Sequence, residues 1–164
     1  MAKKVFLSFE YKKDNWRVQT VRNIGSIESE PLLSSNEWEK VKAKGEDAIK
    51  AWINKEMKDK NCLVVLIGST TASRKWVKYE IKQAWNSGKG VLGVYIHNLK
   101  DKDGYQTSKG SNPFDAFNVD GVKLGNIVKA YDPPYTTSTY VYDHIKSNID
   151  SWIDHAINVR SKYD

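Results

Sequence analysis

Apolar positions along the chain fall into short continuous runs separated by stretches of helical periodicity. Residues 5–9 are a brief β-branched and aromatic run that predicts a buried strand. The runs CLVVLIG at 62–68 and GVLGVYI at 90–96 carry no polar alternation, the pattern of strands covered on both faces in a parallel sheet. Between them the period changes. Asp14 predicts a helix cap, followed by Val18, Val21 and Ile24 on one face, with Gly25 as the stop. Residues 26–37, with Pro31 and four serines, read as a loop, and no apolar second strand is visible between 25 and 45. Ala48, Ile49, Trp52, Ile53 and Met57 form a stripe on a helix over 46–58. A further helix is expected over 73–87, ended by Gly88.

Residues 97–126 are polar and glycine-rich, an insertion loop long enough to suggest function or motion. A last strand is expected over 126–132, before Pro133 and Pro134. Val141, Ile145, Ile149, Trp152, Ile153 and Ala156 then mark a C-terminal helix over about 138–161. No internal repeat or linker interrupts the pattern, so residues 1–164 are read as one domain. Strands alternating with helices imply an α/β fold with a mostly parallel central sheet, helices on both faces and right-handed crossovers. Ligands of such sheets sit beyond the carboxyl ends of the strands. That directs attention to the residues after Phe9, Ile67 and Ile96.

Composition narrows the function classes. With 164 residues the chain can bury one substantial core. Lys and Arg number 26 against 20 Asp and Glu, for a formal net charge of +6. The basic residues are scattered, so a solvated surface accounts for them as well as a phosphate-bearing ligand does, and no basic stripe with interleaved aromatics suggests DNA or RNA. The lone Cys62 falls in an apolar run and packs as a small hydrophobe. The apolar run near the N-terminus is too short for a signal peptide, and no run reaches the roughly 20 residues of a membrane span, so a cytoplasmic protein is expected. GSTTASRK at 68–75 lacks the second glycine and the Lys-Ser/Thr end of a phosphate loop, and no dinucleotide fingerprint follows an early strand. DKDG at 101–104 lacks the remaining ligands of a calcium loop. His97, His144 and His155 have no metal-binding spacing, so no metal site is expected.

The helix after the 62–68 strand holds the informative pair. With Val77, Ile81 and Ala84 as its core stripe, Glu80 lies about 60° and Trp76 about 100° off that stripe, on one side, at about 100° per residue. As i and i+4 neighbours they place a carboxylate beside an indole near the end of a strand. Two readings fit this spacing: a glutamate facing a cleft, or a salt bridge from Glu80 to Lys75 or Lys82 with Trp76 as packing. Arg17 and Arg22 fit either a pyrophosphate contact or solvated helix positions. Asn112 fits either a ligand contact or the turn before Pro113. Trp38, Trp52, Trp85 and Trp152 are assigned to core or interface.

KVFLSFEYKKD at 4–14, CLVVLIGSTTASRKWVKYEI at 62–81 and SGKGVLGVYIHNLKDKDG at 87–104 resemble a TIR domain of the bacterial TIR-like group, in particular the TIR proteins of the Thoeris anti-phage system. The most specific element is Trp76-Val77-x-x-Glu80, the form in which NAD-cleaving TIR domains carry their catalytic glutamate. The resemblance implies a flavodoxin-like TIR fold and cleavage of the nicotinamide–ribose bond of NAD+, which is the substrate, with no separate cofactor. It also implies cyclisation of the ADP-ribose part into a diffusible signal for a separate effector, a phage-derived trigger and self-association. By the same resemblance Glu80 is the catalytic carboxylate. Ser8, Phe9 and Tyr11 would line the nucleotide site from the first strand-to-helix loop, Ser69 and Thr70 would approach from the loop after the 62–68 strand, and Trp76 would stack on a ring. A non-catalytic TIR scaffold acting by self-association is the alternative from another class.

Overall fold

The computed structural model describes residues 2–163. Five strands form one sheet: β1 (Lys3–Ser8), β2 (Ile27–Ser29), β3 (Cys62–Ile67), β4 (Gly90–Tyr95) and β7 (Ala130–Tyr131). Their order is β2-β1-β3-β4-β7 and every pairing is parallel. This is the doubly wound arrangement in which connections leave in opposite directions from the β1/β3 boundary. A two-stranded ribbon, β5 (Asn118–Val119) and β6 (Val122–Lys123), stands apart from it.

Strand side chains alternate between two apolar layers, because successive Cβ atoms point to opposite faces. Val5, Leu7, Val64, Leu66, Leu92 and Val94 pack against α1 (Tyr11–Arg22) and α5 (Ser138–Arg160). Phe6, Leu63, Val65, Ile67 and Val91 pack against α3 (Glu46–Met57) and α4 (Lys75–Asn86). Every residue of β3 and β4 is buried, as their unbroken apolar runs predict. Burial on both faces is what demands helices above and below.

Some boundaries differ from the expectation, each for a local reason. The first helix begins at Tyr11, so Asp14 is not its cap but lies buried in its first turn, paired with Arg17. The stretch read as a loop contains β2, only three residues long, whose pairing with β1 rather than any apolar run defines it. It also contains the start of α2 (Ser35–Ala43), built on a capping box: the Glu37 amide donates to Ser34 Oγ and the Ser34 amide donates to Glu37 Oε1. A 3-10 turn over Thr71–Ser73 precedes α4, which starts at Lys75 rather than Ser73.

The segment 97–126 is not structureless. It holds a 3-10 turn at Pro113–Ala116, the β5–β6 ribbon and a second such turn at Leu124–Asn126. Phe114 and Leu124 reach the core from it. Asp120 and Gly121, both with positive φ, make the two-residue reversal between β5 and β6. The last strand is accordingly two residues rather than seven. At Gly110 a Cβ would collide with the carbonyl of Gly68, and at Gly68 a Cβ would collide with the Asp14 carboxylate. Three chain segments therefore meet at the end of β3, with the Asp14 carboxylate against Gly68 and no room for a side chain at either glycine.

Arg17 is neither a solvated residue nor a ligand contact. Its side chain is buried, and it donates to the carbonyls of Leu99 (2.7 Å) and Tyr105 (2.8 Å) and to Asp14 Oδ1 (2.9 Å). It clamps the start of the 97–126 segment to α1. Burial pushes the Asp14 carboxyl up and the Arg17 guanidinium opposes that shift. Arg17→Ala strands Asp14 and two carbonyls, and is expected to cost about 3–5 kcal/mol. Thermal unfolding and amide exchange over residues 99–105 measure this; unchanged protection there would show that the clamp is dispensable.

Candidate active site

The chain turns at the end of β1 into α1, and this turn sets the site. Ser8, the last residue of β1, is buried, and its hydroxyl donates to Glu80 Oε1 at 2.6 Å. Glu80 lies in the second turn of α4 with its side chain directed inward. The salt-bridge alternative is thereby set aside: the carboxylate's partner is Ser8, while Lys75 pairs with Glu46 on the surface. Burial pushes the Glu80 carboxyl up to about 8, and the Ser8 hydroxyl, which favours the charged form, limits the rise.

Glu80 lines a cavity of about 80 Å³ together with Phe6, Leu7, Phe9, Tyr11, Trp52 and Trp76. The roof is the loop after β2: Glu30, Pro31, Leu32 and Leu33, with Trp38 from α2. The Tyr11 hydroxyl donates to the Leu33 carbonyl at 2.9 Å and ties this roof to α1. Trp52 stands edge-on to both Phe6 and Trp38, so α2 and α3 hold the back wall through aromatic contacts. Trp76 packs edge-on against Tyr79, whose hydroxyl donates to Asn54.

A wider groove of about 510 Å³ adjoins the cavity. Phe9, Tyr11, Trp38 and Trp76 line both spaces. The groove adds Lys12, Lys42, Arg74 and Lys75, with Glu10 and Glu39 as its acidic members. Its size is that of a pocket for a drug-sized or nucleotide-sized ligand, whereas the cavity alone is not. A groove with four cations, of which Lys42, Arg74 and Lys75 form salt bridges with Glu39, Glu10 and Glu46, thus adjoins, across an aromatic wall, an apolar chamber that holds a carboxylate. Such a pairing suits a ligand with a ring or electron-poor centre at one end and phosphates at the other.

The residues singled out from the sequence divide into two groups. Ser8, Phe9, Tyr11, Trp76 and Glu80 come together at the cavity. Ser69 and Thr70 line neither the cavity nor the groove. The Thr70 hydroxyl donates to Glu10 Oε2 at 2.8 Å, and Glu10 also pairs with Arg74 at 3.2 Å. Ser69 lies beneath Gly110. Arg22 donates to Ser29 Oγ and the Glu30 carbonyl, and Asn112 Oδ1 accepts from the Phe114 amide, the turn role open to it from the sequence.

Eight of the cavity residues are not marked for the site by the sequence, among them Glu30, Leu32, Trp38 and Trp52. Assignment to the core describes only half of what the two tryptophans do. Glu30 is buried, and both of its carboxylate oxygens lie within reach of the Leu7 amide, at 3.0 and 3.2 Å. β2 stops at Ser29, so the Glu30 side chain takes the amide that a longer strand would have paired. The only sequence hint is Pro31, which marks the chain just there as a strand end or sheet edge.

Comparison with known proteins agrees with this geometry. Residues 6–101 match the family described as Thoeris protein ThsB, TIR-like domain. The chain is also 37% identical over 133 residues to a Bacillus cereus (strain MSX-D12) protein named "Putative cyclic ADP-D-ribose synthase ThsB1", across 76% of this chain and 69% of that protein. The matched segment runs from β1 through α4 to the first turn after β4, and so includes every residue that lines the cavity. With an inward-facing glutamate on α4, an aromatic wall and a parallel sheet of this order, the chain belongs to the TIR-like family of the Thoeris protein ThsB.

Proposed function

We infer that the chain is an NAD+-cleaving enzyme that releases nicotinamide and closes the ADP-ribose part into a cyclic signalling nucleotide. The observation that carries this reading is the Glu80 carboxylate, buried in an aromatic cavity and held by Ser8 beside a groove lined with cations. Family membership and the name of the Bacillus cereus relative support it. The product acts on a separate effector, and a phage-derived trigger and self-association complete the reading.

The chemistry follows from charge. Nicotinamide leaves NAD+ as a neutral molecule and needs no proton from the enzyme. The reacting ribose carbon becomes electron-poor as the bond breaks, and an oxocarbenium-like centre forms. Glu80 accepts hydrogen bonds from ribose hydroxyls and places a negative charge beside that centre. Because Ser8 fixes one carboxylate oxygen, the charge is oriented before the substrate arrives. Phe9 and Trp76 offer ring faces and exclude water, and Lys12, Lys42 and Arg74 face the groove where the pyrophosphate lies. Water attack gives linear ADP-ribose and attack from within the same molecule gives a ring, so positioning sets the product.

Burial has a kinetic consequence whose sign is fixed. The free enzyme carries a protonated Glu80 below about pH 8, and the cationic substrate favours the ionised form. The value of kcat/KM should therefore rise about tenfold per pH unit up to about 8 and then level off, with the acid limb of kcat at lower pH. Removing the hydroxyl in Ser8→Ala should move the kcat/KM limb upward by about one unit, because the ionised form loses its donor. A flat profile between pH 6 and 8 would contradict this role of Glu80.

Glu80→Gln should lower nicotinamide release by about 10³-fold while leaving the circular dichroism spectrum unchanged. The measurement is mass spectrometry of nucleotides, both from purified protein with NAD+ and from cells with and without phage. Loss of NAD+ together with a product of cyclic ADP-ribose mass, both absent in the variant, is the expected result. A product of linear mass alone would mean a hydrolase, and undiminished turnover in the variant would remove Glu80 from the mechanism.

A further inference from the structure

Two consecutive residues at the end of β1 hold two carboxylates in one cavity. The Leu7 amide binds Glu30 and the Ser8 hydroxyl binds Glu80. Both glutamates are buried, with 2% and 8% of their surface exposed, and both line the same 80 Å³ space. Glu30 is more than a substitute for a missing strand residue. A neutral amide or hydroxyl side chain would satisfy the Leu7 amide without the desolvation cost of an ionisable group. Leu7 supplies a single N–H shared between two oxygens, which leaves a carboxylate most of its acceptor capacity.

We propose that Glu30 is the proton acceptor of the reaction, taking the proton of the hydroxyl that attacks the ribose carbon while Glu80 stabilises the cation. The inference rests on the NAD+-cleaving reading of the site. In the step, the bond from the ribose carbon to the nicotinamide nitrogen breaks and its electron pair leaves with neutral nicotinamide. A ribose hydroxyl, or water, forms the new carbon–oxygen bond, and its proton passes to a Glu30 oxygen. The proton later goes to solvent. Burial holds the Glu30 carboxyl well above the usual range, and Glu80 adds to this where it is ionised, against the pull of the Leu7 amide and Lys60. Once ionised by the incoming cation, such a group is a stronger base than a solvated glutamate. Two carboxylates with separate duties across one sugar is the division that glycosyl transfer uses.

The test separates nucleophiles by whether they carry a proton. A pyridine such as 3-acetylpyridine can replace nicotinamide on NAD+ through a ring nitrogen that has no proton to lose. Glu30→Gln keeps an oxygen for the Leu7 amide. It should lower formation of cyclic or linear ADP-ribose by about 10²-fold while exchange with 3-acetylpyridine stays within about threefold of the unaltered chain. Glu80→Gln should lose both reactions. If Glu30→Gln retains both, no proton passes through Glu30 and the proposal is overturned. If it loses both, Glu30→Ala with added formate decides: restored hydroxyl transfer supports the proposal and its absence overturns it. An unaltered chain that neither releases nicotinamide nor exchanges it would overturn the NAD+-cleaving reading instead.

Discussion

The hydrogen bond from the Ser8 hydroxyl to Glu80 joins residues 72 positions apart and ties the first strand to the fourth helix at 2.6 Å. Much of the architecture around the site can be understood from the demand it makes. A carboxylate kept away from water costs free energy, and only a rigid donor on one side and a dry wall on the other make it tolerable. The parallel sheet supplies the rigidity. β1 is an interior strand, and at its end Ser8 is paired with Val65 of β3, so the direction of Ser8 is fixed by a backbone ladder rather than by a loop. The cost remains visible in linkage. Between the ordinary carboxyl value of 4.5 and about 8, the folded chain holds a proton at Glu80 that the unfolded chain has released. Folding stability therefore declines as pH rises through that window, by an amount on the order of a few kcal/mol.

The same strand end explains why the roof of the cavity is a loop. β2 pairs with β1 for three residues and then gives way at Glu30 and Pro31, so the chain leaves the sheet directly above the chamber. The Tyr11 hydroxyl and the Trp38–Trp52 contact hold that departing segment down. These are single, local ties, unlike the ladders beneath. The floor of the site is held by strand pairing and the roof by a few side-chain contacts, those of Glu30, Tyr11 and Trp38.

Much of this could be read from the residues. β3, β4 and α5 were legible because few structures besides buried strands and an amphipathic helix accommodate continuous apolar runs and a sustained helical period. Glu80 and Trp76 were legible as neighbours because an i, i+4 pair off the core stripe must flank the same edge. β2 was not, since three residues carry no pattern and its existence depends on β1. The capping box at Ser34 and Glu37 lies among serines and a proline that give the stretch the composition of a loop. Glu30 was invisible for a different reason. Nothing in ESEPLL distinguishes a glutamate turned inward from one in solvent, because the choice is made by an unpaired amide on another strand. Ser69 and Thr70 show the converse, where correct placement after β3 says nothing about which way that loop faces.

The contact among Asp14, Gly68 and Gly110 bears on how the family can vary. At one point the 97–126 segment lies on the sheet edge so closely that no side chain fits beneath it. Either side of that point the chain is held mainly by the Arg17 clamp and by Phe114 and Leu124 in the core. Insertions or deletions between these anchors would change the outer surface without moving the strand ends. Relatives could therefore diverge in what this segment meets outside the molecule while keeping the same interior chemistry.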